Sequence, residues 1–299
     1  KKDLLLVHFF NKTIIMSGVS KMVLLVVAAL SGVLVLIMGN NPFGGEDTKD
    51  ENPTNGTYTV SEEEDNLPVG TLNYIPTQEL GDQLIRYNYY TMSYSAQHKN
   101  AEWVAYELLG ARLDLSSGVK RQNFKLDPNT ESEASSSDYT NSGYDRGHLV
   151  PAHDMDFNKK AMSESFFMTN VSPQVPDFNR GIWKSLEGKV RKWAKKEKRL
   201  YVITGPLLRK RVKKADRINP TGPTIPRGFF KIVVDYEGNE KKGIAFMFKN
   251  KGIDQPLERF VTTIDLVEEY TNLDFFPDLT VAEEATLESI SDLSLWTNR

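Results

Sequence analysis

Residues 142–154 read SGYDRGHLVPAHD and gather titratable side chains around one glycine. These side chains are Asp145, Arg146, His148, His153 and Asp154. An imidazole can take a proton from water near neutral pH, because its unperturbed pKa is about 6.5. The fixed fork of a guanidinium suits phosphate oxygens, and Gly147 removes side-chain bulk where a large ligand backbone could approach. The segment indicates either a site for phosphate-ester chemistry or a loop with an ordinary surface ion pair.

Strands and a long helix are predicted downstream and upstream of this segment. The strands are residues 102–109, 199–208 and, as a pair joined by a turn at Gly238 and Asn239, 228–250. Residues 179–198 have helical spacing, with an apolar stripe of Ile182, Leu186, Val190 and Trp193. Long strands mixed with a few helices indicate an α+β fold with a sheet core.

The predicted helix carries a second row of side chains beside its apolar stripe. Its members recur at four-residue steps and share one face: Asn179, Trp183, Glu187 and Arg191. An amide oxygen and a carboxylate suit a hard cation such as Mg²⁺, which keeps most of its waters. The alternatives are a plain N-cap for Asn179 and an i,i+4 salt bridge between Glu187 and Arg191.

Four segments, taken in order and spacing, resemble one known family. They are VKRQNFKLDP (119–128), DRGHLVPA (145–152), TNVSPQ (169–174) and FNRGIWKSLE (178–187) with the following Arg191. The family is the DNA/RNA non-specific endonucleases, which are ββα-metal (His-Me finger), endonuclease G-like enzymes. The resemblance covers roughly residues 75–280. It implies a central antiparallel β-sheet flanked by helices, with the active site on a ββα-metal unit.

The resemblance also implies roles for individual residues. His148 would be the general base that activates water, and Asn179 the direct ligand of Mg²⁺, Mn²⁺ or another divalent cation. Glu187 would orient the waters around the metal, and Asn170 would position His148 or nearby backbone. Phosphate contacts are expected from Arg146, Arg191 and Arg121, and further substrate contacts from Arg180 and Lys184. The implied substrates are DNA and RNA, and no protein partner is inferred.

Three other interpretations stay open at the level of sequence. His153 stands where the family generally has a small residue, so His148, His153 and Asp154 could form a zinc cluster, although their spacing matches no common zinc motif. A catalytically inactive nucleic-acid-binding module could have the same fold. A membrane-anchored structural or adhesion protein would leave the motif set unexplained.

The distribution of charge favours a polyanionic partner. The net charge is only −3, but residues 180–217 carry fifteen Lys or Arg against three acids. Residues 41–65 carry eight acids and one lysine, and the last 36 residues carry nine acids and one arginine. The basic block can attract a polyanion without involving the acidic ends. The absence of cysteine excludes disulfides and thiolate metal sites.

Four parts of the chain are predicted from these patterns. Residues 1–39 form an N-terminal extension whose uncharged apolar run, 22–39, indicates a signal or membrane anchor, with a buried core helix as the alternative. Residues 40–70 read as an acidic flexible linker, 71–280 as the nuclease domain and 281–299 as an acidic C-terminal tail or helix. The apolar run predicts contact with a membrane and an extracytoplasmic location: membrane-anchored, periplasmic or secreted.

Overall fold

The structure is a computed structural model that describes residues 70–77, 83–131, 134–238 and 240–297. Within these ranges the strands are β1 (Gln83–Arg86), β2 (Thr91–Ser95), β3 (Asn100–Leu109), β4 (Asp145–His148), β5 (Val171–Gln174), β6 (Arg199–Pro206), β7 (Gly228–Asp235), β8 (Lys242–Lys249) and β9 (Val261–Thr262). The helices are α1 (Lys159–Ser165), α2 (Pro176–Phe178), α3 (Lys184–Glu197), α4 (Ile264–Thr271), α5 (Val281–Leu287) and α6 (Ser294–Thr297).

Seven strands form one antiparallel sheet in the order β1-β2-β3-β6-β7-β8-β9, and β4 pairs with β5 in a separate antiparallel pair. The predicted strands at 102–109, 199–208 and 228–250 correspond to β3, β6 and the β7–β8 pair. This architecture confirms the predicted α+β class. Of the two predicted turn residues, Asn239 lies outside the described residues.

The main sheet is covered on both faces, so every residue of β6 and β7 is buried. Successive side chains of a strand point to opposite faces. On one face, here called the site face, Val202 belongs to the same apolar cluster as Leu186 of α3. On the other, the back face, Ile203 shares a cluster with Val267 of α4. Full burial of one such side chain contributes roughly 1.5–3 kcal/mol.

The predicted long helix differs from the prediction in two ways. It begins three residues earlier, at Pro176, where the fixed φ of proline suits a first helical turn. A π-helical turn, Asn179–Trp183, then separates α2 from α3, and Gly181 departs from helical geometry with φ −96° and ψ −111°. The row of four-residue steps is therefore interrupted. Trp183 is buried against Phe178, Phe229 and Phe248 and does not share an exposed face with its predicted companions.

The structure describes the C-terminal segment up to residue 297 but not the N-terminal segment before residue 70. The apolar run 22–39 lies outside the described residues, as does the predicted linker up to residue 69. At the other end, α5 and α6 fall within the predicted tail. Trp296 of α6 is almost fully buried, and its ring centroid lies 4.9 Å from that of Trp193 on α3. The C-terminal helix thus contributes to the core on the site face.

Candidate active site

The β4–β5 pair and the helical segment after it carry the predicted catalytic residues. His148 is the last residue of β4 and is paired with Val171, the first residue of β5. Asn170 lies immediately before β5, and Asn179 is the first residue of the π-helical turn that leads into α3. Two strands and a helix thus form the ββα unit that the resemblance implies.

Gly147 is required by packing between the two strands. A Cβ atom at this position would lie 2.2 Å from the side chain of Gln174, a fully buried residue of β5 that pairs with Asp145. A larger residue at position 147 would therefore force Gln174 to move. Approach of a large ligand at Gly147 stays a prediction.

His148 lies in an apolar environment. Its ring centroid is 5.0 Å from that of Phe124 and 5.1 Å from that of Phe166, which it meets edge to face. The residue is partly exposed, but its Nε2 atom is buried and has no hydrogen-bond partner among the described residues. Burial, together with the charge of Arg121, lowers the pKa of His148 to about 4. The imidazole is therefore neutral at neutral pH and can accept a proton.

Asn170 holds the backbone that follows His148. Its Oδ1 accepts a hydrogen bond from the Val150 N–H at 2.9 Å, and its Nδ2 donates to the carbonyls of Val150 and Ser165, each at 2.9 Å. The side chain is fully buried, so each of these bonds is shielded from water. Asn170 thus fixes the chain two residues beyond the imidazole.

Asp145 orients the amide of Asn179. The Asn179 Nδ2 donates to Asp145 Oδ2 at 2.9 Å, and Arg180 adds a bidentate contact to the same carboxylate at 2.8 and 2.7 Å. Burial raises the pKa of Asp145, but the hydrogen bonds from Arg180 and Asn179 outweigh it, so the pKa lies below its ordinary value. Because the amide nitrogen is engaged, the amide oxygen is left for another partner.

The structure excludes a plain N-cap role for Asn179. Its backbone is helical, with φ −57° and ψ −50°, and its N–H already donates to the Val175 carbonyl at 2.9 Å. Val175 is the N-cap position of this helical segment.

Glu187 lies among three cations and one acid, Asp154. Burial raises its pKa, and the charge of Lys231 opposes that rise most strongly. Lys231 is itself buried on β7, where its ammonium donates to Thr204 Oγ1 at 2.5 Å and lies 4.9 Å from the centroid of the Trp183 ring. Burial lowers the pKa of Lys231. Within the described residues, the Glu187 carboxylate has no hydrogen bond or ion pair.

Arg191 pairs with Asp154 and not with Glu187. Its Nη1 donates to Asp154 Oδ1 at 2.9 Å, and the other oxygen of this buried carboxylate accepts from the Tyr106 hydroxyl at 2.8 Å. The predicted alternative of an i,i+4 salt bridge is thus not formed. The zinc alternative gains no support, because in the described ranges His148, His153 and Asp154 do not come together as a metal-binding cluster.

The predicted phosphate-binding side chains divide into two groups. Arg146 donates twice to the Ser136 carbonyl, at 2.5 and 3.2 Å, and so secures the loop before β4. Arg180 and Arg191 are held by Asp145 and Asp154. Arg121 and Lys184 are exposed, and neither has a hydrogen bond or ion pair to any described residue. These two are the cations best placed to meet a ligand without breaking a protein contact.

Lys231 is the residue beside this site that sequence reasoning missed. It stands in the strand GFFKIVVD, in which every residue is buried. A single lysine within such a run has to find a polar partner, because an isolated buried charge is costly. That signal was present in the sequence, but the hydrogen-bond partner Thr204 and the nearby charge of Glu187 are distant along the chain.

The chain is similar to known nucleases over most of its length. The profile of the DNA/RNA non-specific endonuclease family matches residues 69–282. Human mitochondrial endonuclease G is 30% identical over 214 residues, which are 68% of this chain and 72% of that protein. Nuclease C1 of Cunninghamella echinulata var. echinulata is 34% identical over 207 residues, which are 64% and 82% of the two chains.

A solved structure has the same fold. It is the crystal structure of the EndoG/EndoGI complex, which describes the mechanism of EndoG inhibition. The TM-score is 0.64 at 27% sequence identity, and the match covers 70% of this chain and 92% of that one. The family profile spans every predicted site residue from Arg121 to Arg191.

These similarities contradict the predicted extracytoplasmic location. Human endonuclease G, nuclease EXOG of Danio rerio and nuclease 1 of Schizosaccharomyces pombe are all named as mitochondrial proteins. Across the part of the chain that the structure describes, no helix has the length and apolar character needed to cross a membrane. The segment behind the prediction, 22–39, is not among those residues.

Proposed function

The chain belongs to the DNA/RNA non-specific endonuclease family and is a nuclease, and from that premise we propose that it hydrolyses phosphodiester bonds in DNA and RNA with His148 as general base and Asn179 as ligand of a divalent cation. The observation that carries this proposal is that one ββα unit holds both a neutral imidazole and an amide oxygen with no hydrogen-bond partner among the described residues. Asp145 leaves the Asn179 oxygen available, and burial keeps His148 unprotonated.

The donor set fits Mg²⁺. Nucleases of the endonuclease G type are generally dependent on a divalent metal. The Asn179 oxygen is a hard ligand of the kind that Mg²⁺ and Mn²⁺ prefer. The Glu187 carboxylate has no hydrogen bond or ion pair among the described residues, so it can accept hydrogen bonds from waters around the ion. When bound, the cation supplies positive charge that offsets the negative charge developing on the phosphate in the transition state.

His148 is the group that receives the proton of the attacking water. Its Nε2 is buried, so the proton is accepted at Nδ1, and the resulting hydroxide attacks phosphorus in line with the leaving oxygen. Phe124 and Phe166 confine the ring from two sides. Asn170 fixes Val150 and so limits movement of the chain after β4.

Substrate binding is supported by charge and not by base contacts. Arg121 and Lys184 have no hydrogen bond or ion pair to give up within the described ranges, and the block 180–217 has an excess of twelve positive charges. Such charges bind the phosphate backbone of any sequence and release counterions. An inactive nucleic-acid-binding module would have the same charges and bind without cleaving.

The test is digestion of plasmid DNA and of RNA by the full chain, with EDTA and after Mg²⁺ is restored. EDTA should abolish cleavage, and His148→Ala should reduce the rate in Mg²⁺ by about 10²–10⁴-fold. His153→Ala is the matched control, because it removes an exposed imidazole five residues away, and it should cost far less. Normal cleavage by a folded His148→Ala protein would refute the assignment of the base.

A further inference from the structure

A cluster of carboxylates lies on the back face, away from the ββα unit. It is formed by Asp265 and Glu268 of α4 and by Glu288, which follows α5. One carboxylate oxygen from each residue lies within 4.8 Å of the others. Two oxygens that share a Ca²⁺ ion at 2.3–2.6 Å are at most about 5 Å apart, so this spacing matches a common ion.

The backbone sets the positions of these carboxylates. The N–H groups of Ile264 and Asp265 both donate to the Glu288 carbonyl, at 2.9 and 3.2 Å, which docks the end of α5 on the start of α4. Glu268 is fixed separately, because its Oε1 accepts from the Phe275 N–H at 2.7 Å. The cluster is therefore built into the junction of two helices.

Glu288 is the member that calls for a ligand. The residue is only 5% exposed, and its Oε1 is buried without a hydrogen-bond partner among the described residues. A buried carboxylate oxygen without a partner is costly and rare in native structures. The N-terminus of α4 stabilises the negative charge of Asp265, which lies in the first turn of that helix. It provides no hydrogen bond to the buried Oε1 of Glu288.

The surrounding charges increase the need for a cation. Burial raises the pKa of Glu288 to about 8, and the acids Glu268, Glu284, Asp265 and Asp274 raise it further. Burial likewise raises the pKa of Glu268 to about 7, again with acids as the charges that contribute most. Ionisation of these carboxyls is therefore disfavoured unless a cation balances their charge.

We propose that Asp265, Glu268 and Glu288 bind a divalent cation of the Ca²⁺ type, at a site separate from the one at Asn179. Three carboxylates without a phosphate suit Ca²⁺, which takes six to eight oxygen ligands, better than Mg²⁺, which keeps most of its waters. Bound there, the ion joins α4 to the end of α5 and satisfies the Glu288 oxygen. Its role is to stabilise the back face and not to take part in cleavage.

The experiment is calorimetric titration of the nucleic-acid-free full chain with Ca²⁺, together with melting curves. The wild type should bind one Ca²⁺ and melt at a higher temperature with it. Glu288→Gln keeps the shape but removes the charge, so it should weaken binding by tenfold or more and lose the rise in melting temperature. Glu269→Gln, on the exposed side of α4, is the matched control and should behave as the wild type.

Two further variants separate this site from the catalytic one. Asn179→Ala should retain the Ca²⁺ binding. If Glu288→Gln fails to fold, Asp265→Asn takes its place as the test, because Asp265 is exposed, and it should weaken Ca²⁺ binding. Absence of Ca²⁺ binding by the wild type would overturn the proposal, since the carboxyls would then share a proton. Binding that is lost in Asn179→Ala but kept in Glu288→Gln would also overturn it, without affecting the proposed nuclease mechanism.

Discussion

Glu187 and Glu288 are carboxylates on opposite faces of the same sheet, and the charges around them differ. Glu187 is partly buried and Glu288 is buried, and burial raises the pKa of both. At Glu187 the cations Lys231, Arg191 and Lys184 oppose that rise and one acid, Asp154, adds to it, whereas acids dominate around Glu288. A carboxylate that is compensated by fixed cations can stay ionised and face a reaction. One surrounded by acids has to acquire a proton or an ion.

The largest expected effect is a loss of cleavage when Asn179 on the site face is replaced, with no loss when Glu288 on the back face is replaced. Asn179→Ala removes the proposed ligand on the site face, so it should lose most cleavage and require about 10–100-fold more Mg²⁺. Glu187→Gln should be impaired less than Asn179→Ala but clearly below the wild type. Glu288→Gln should cleave normally. The measurement is the cleavage rate against Mg²⁺ concentration, with melting temperatures recorded for each variant.

Either of two results would break this separation. Slow cleavage by a stably folded Glu288→Gln protein would place the back face in the reaction. An unchanged Mg²⁺ dependence for Asn179→Ala with only a lowered melting temperature would make Asn179 a structural residue of the π-helical turn.

The sequence predicted those strands and site residues that a local pattern of residues identifies. Alternating and β-branched residues identified β3, β6, β7 and β8, because those signals repeat every two residues. The DRGH segment and the asparagine at the start of NRGIW marked the candidate site. The resemblance supplied the roles, which spacing alone could not.

What the sequence left out depends on contacts between distant residues. Asp145 and Arg180 are 35 positions apart, so their pairing could not be read from either segment. The same holds for Gln174 against Gly147 and for Asp154 with Arg191, two contacts that local spacing does not reveal. The π-helical turn at Gly181 also escaped prediction, because helical spacing assumes one uniform period.

A smaller effect is expected on the pH dependence of cleavage when a cation near Glu187 is removed. Lys231→Met removes the charge that most opposes the rise in the Glu187 pKa, so that pKa should rise further, by about one unit. More Glu187 would then be protonated near neutral pH. The pH at which the cleavage rate of Lys231→Met increases should therefore be higher than in the wild type. At alkaline pH the rate of this variant should recover.

The pH profile distinguishes this effect from simple damage to the core. Lys242→Met is the matched control, because Lys242 is also a buried lysine but contacts Glu197 and Asp235 instead. It should lower the melting temperature without moving the pH profile. Equal shifts in both variants would show that the pH dependence does not arise from Glu187.

The smallest expected effect compares a free cation with a paired one on the site face. Arg121 has no partner among the described residues, whereas Arg180 is held by Asp145 through two hydrogen bonds. Arg121→Ala should therefore reduce the slope of log affinity for DNA against log salt concentration by about one, because one phosphate contact is lost.

Arg180→Ala should change this slope less, because the charge of Arg180 is already balanced by Asp145. It should raise the Mg²⁺ requirement, because Asp145 without Arg180 holds the amide of Asn179 less firmly. Binding of random duplexes in EDTA across a range of salt concentrations measures both slopes, and the cleavage rate against Mg²⁺ concentration measures the Mg²⁺ requirement. If both variants lose the same slope, Arg180 leaves Asp145 when nucleic acid binds, and the amide of Asn179 is then oriented by Asp145 alone.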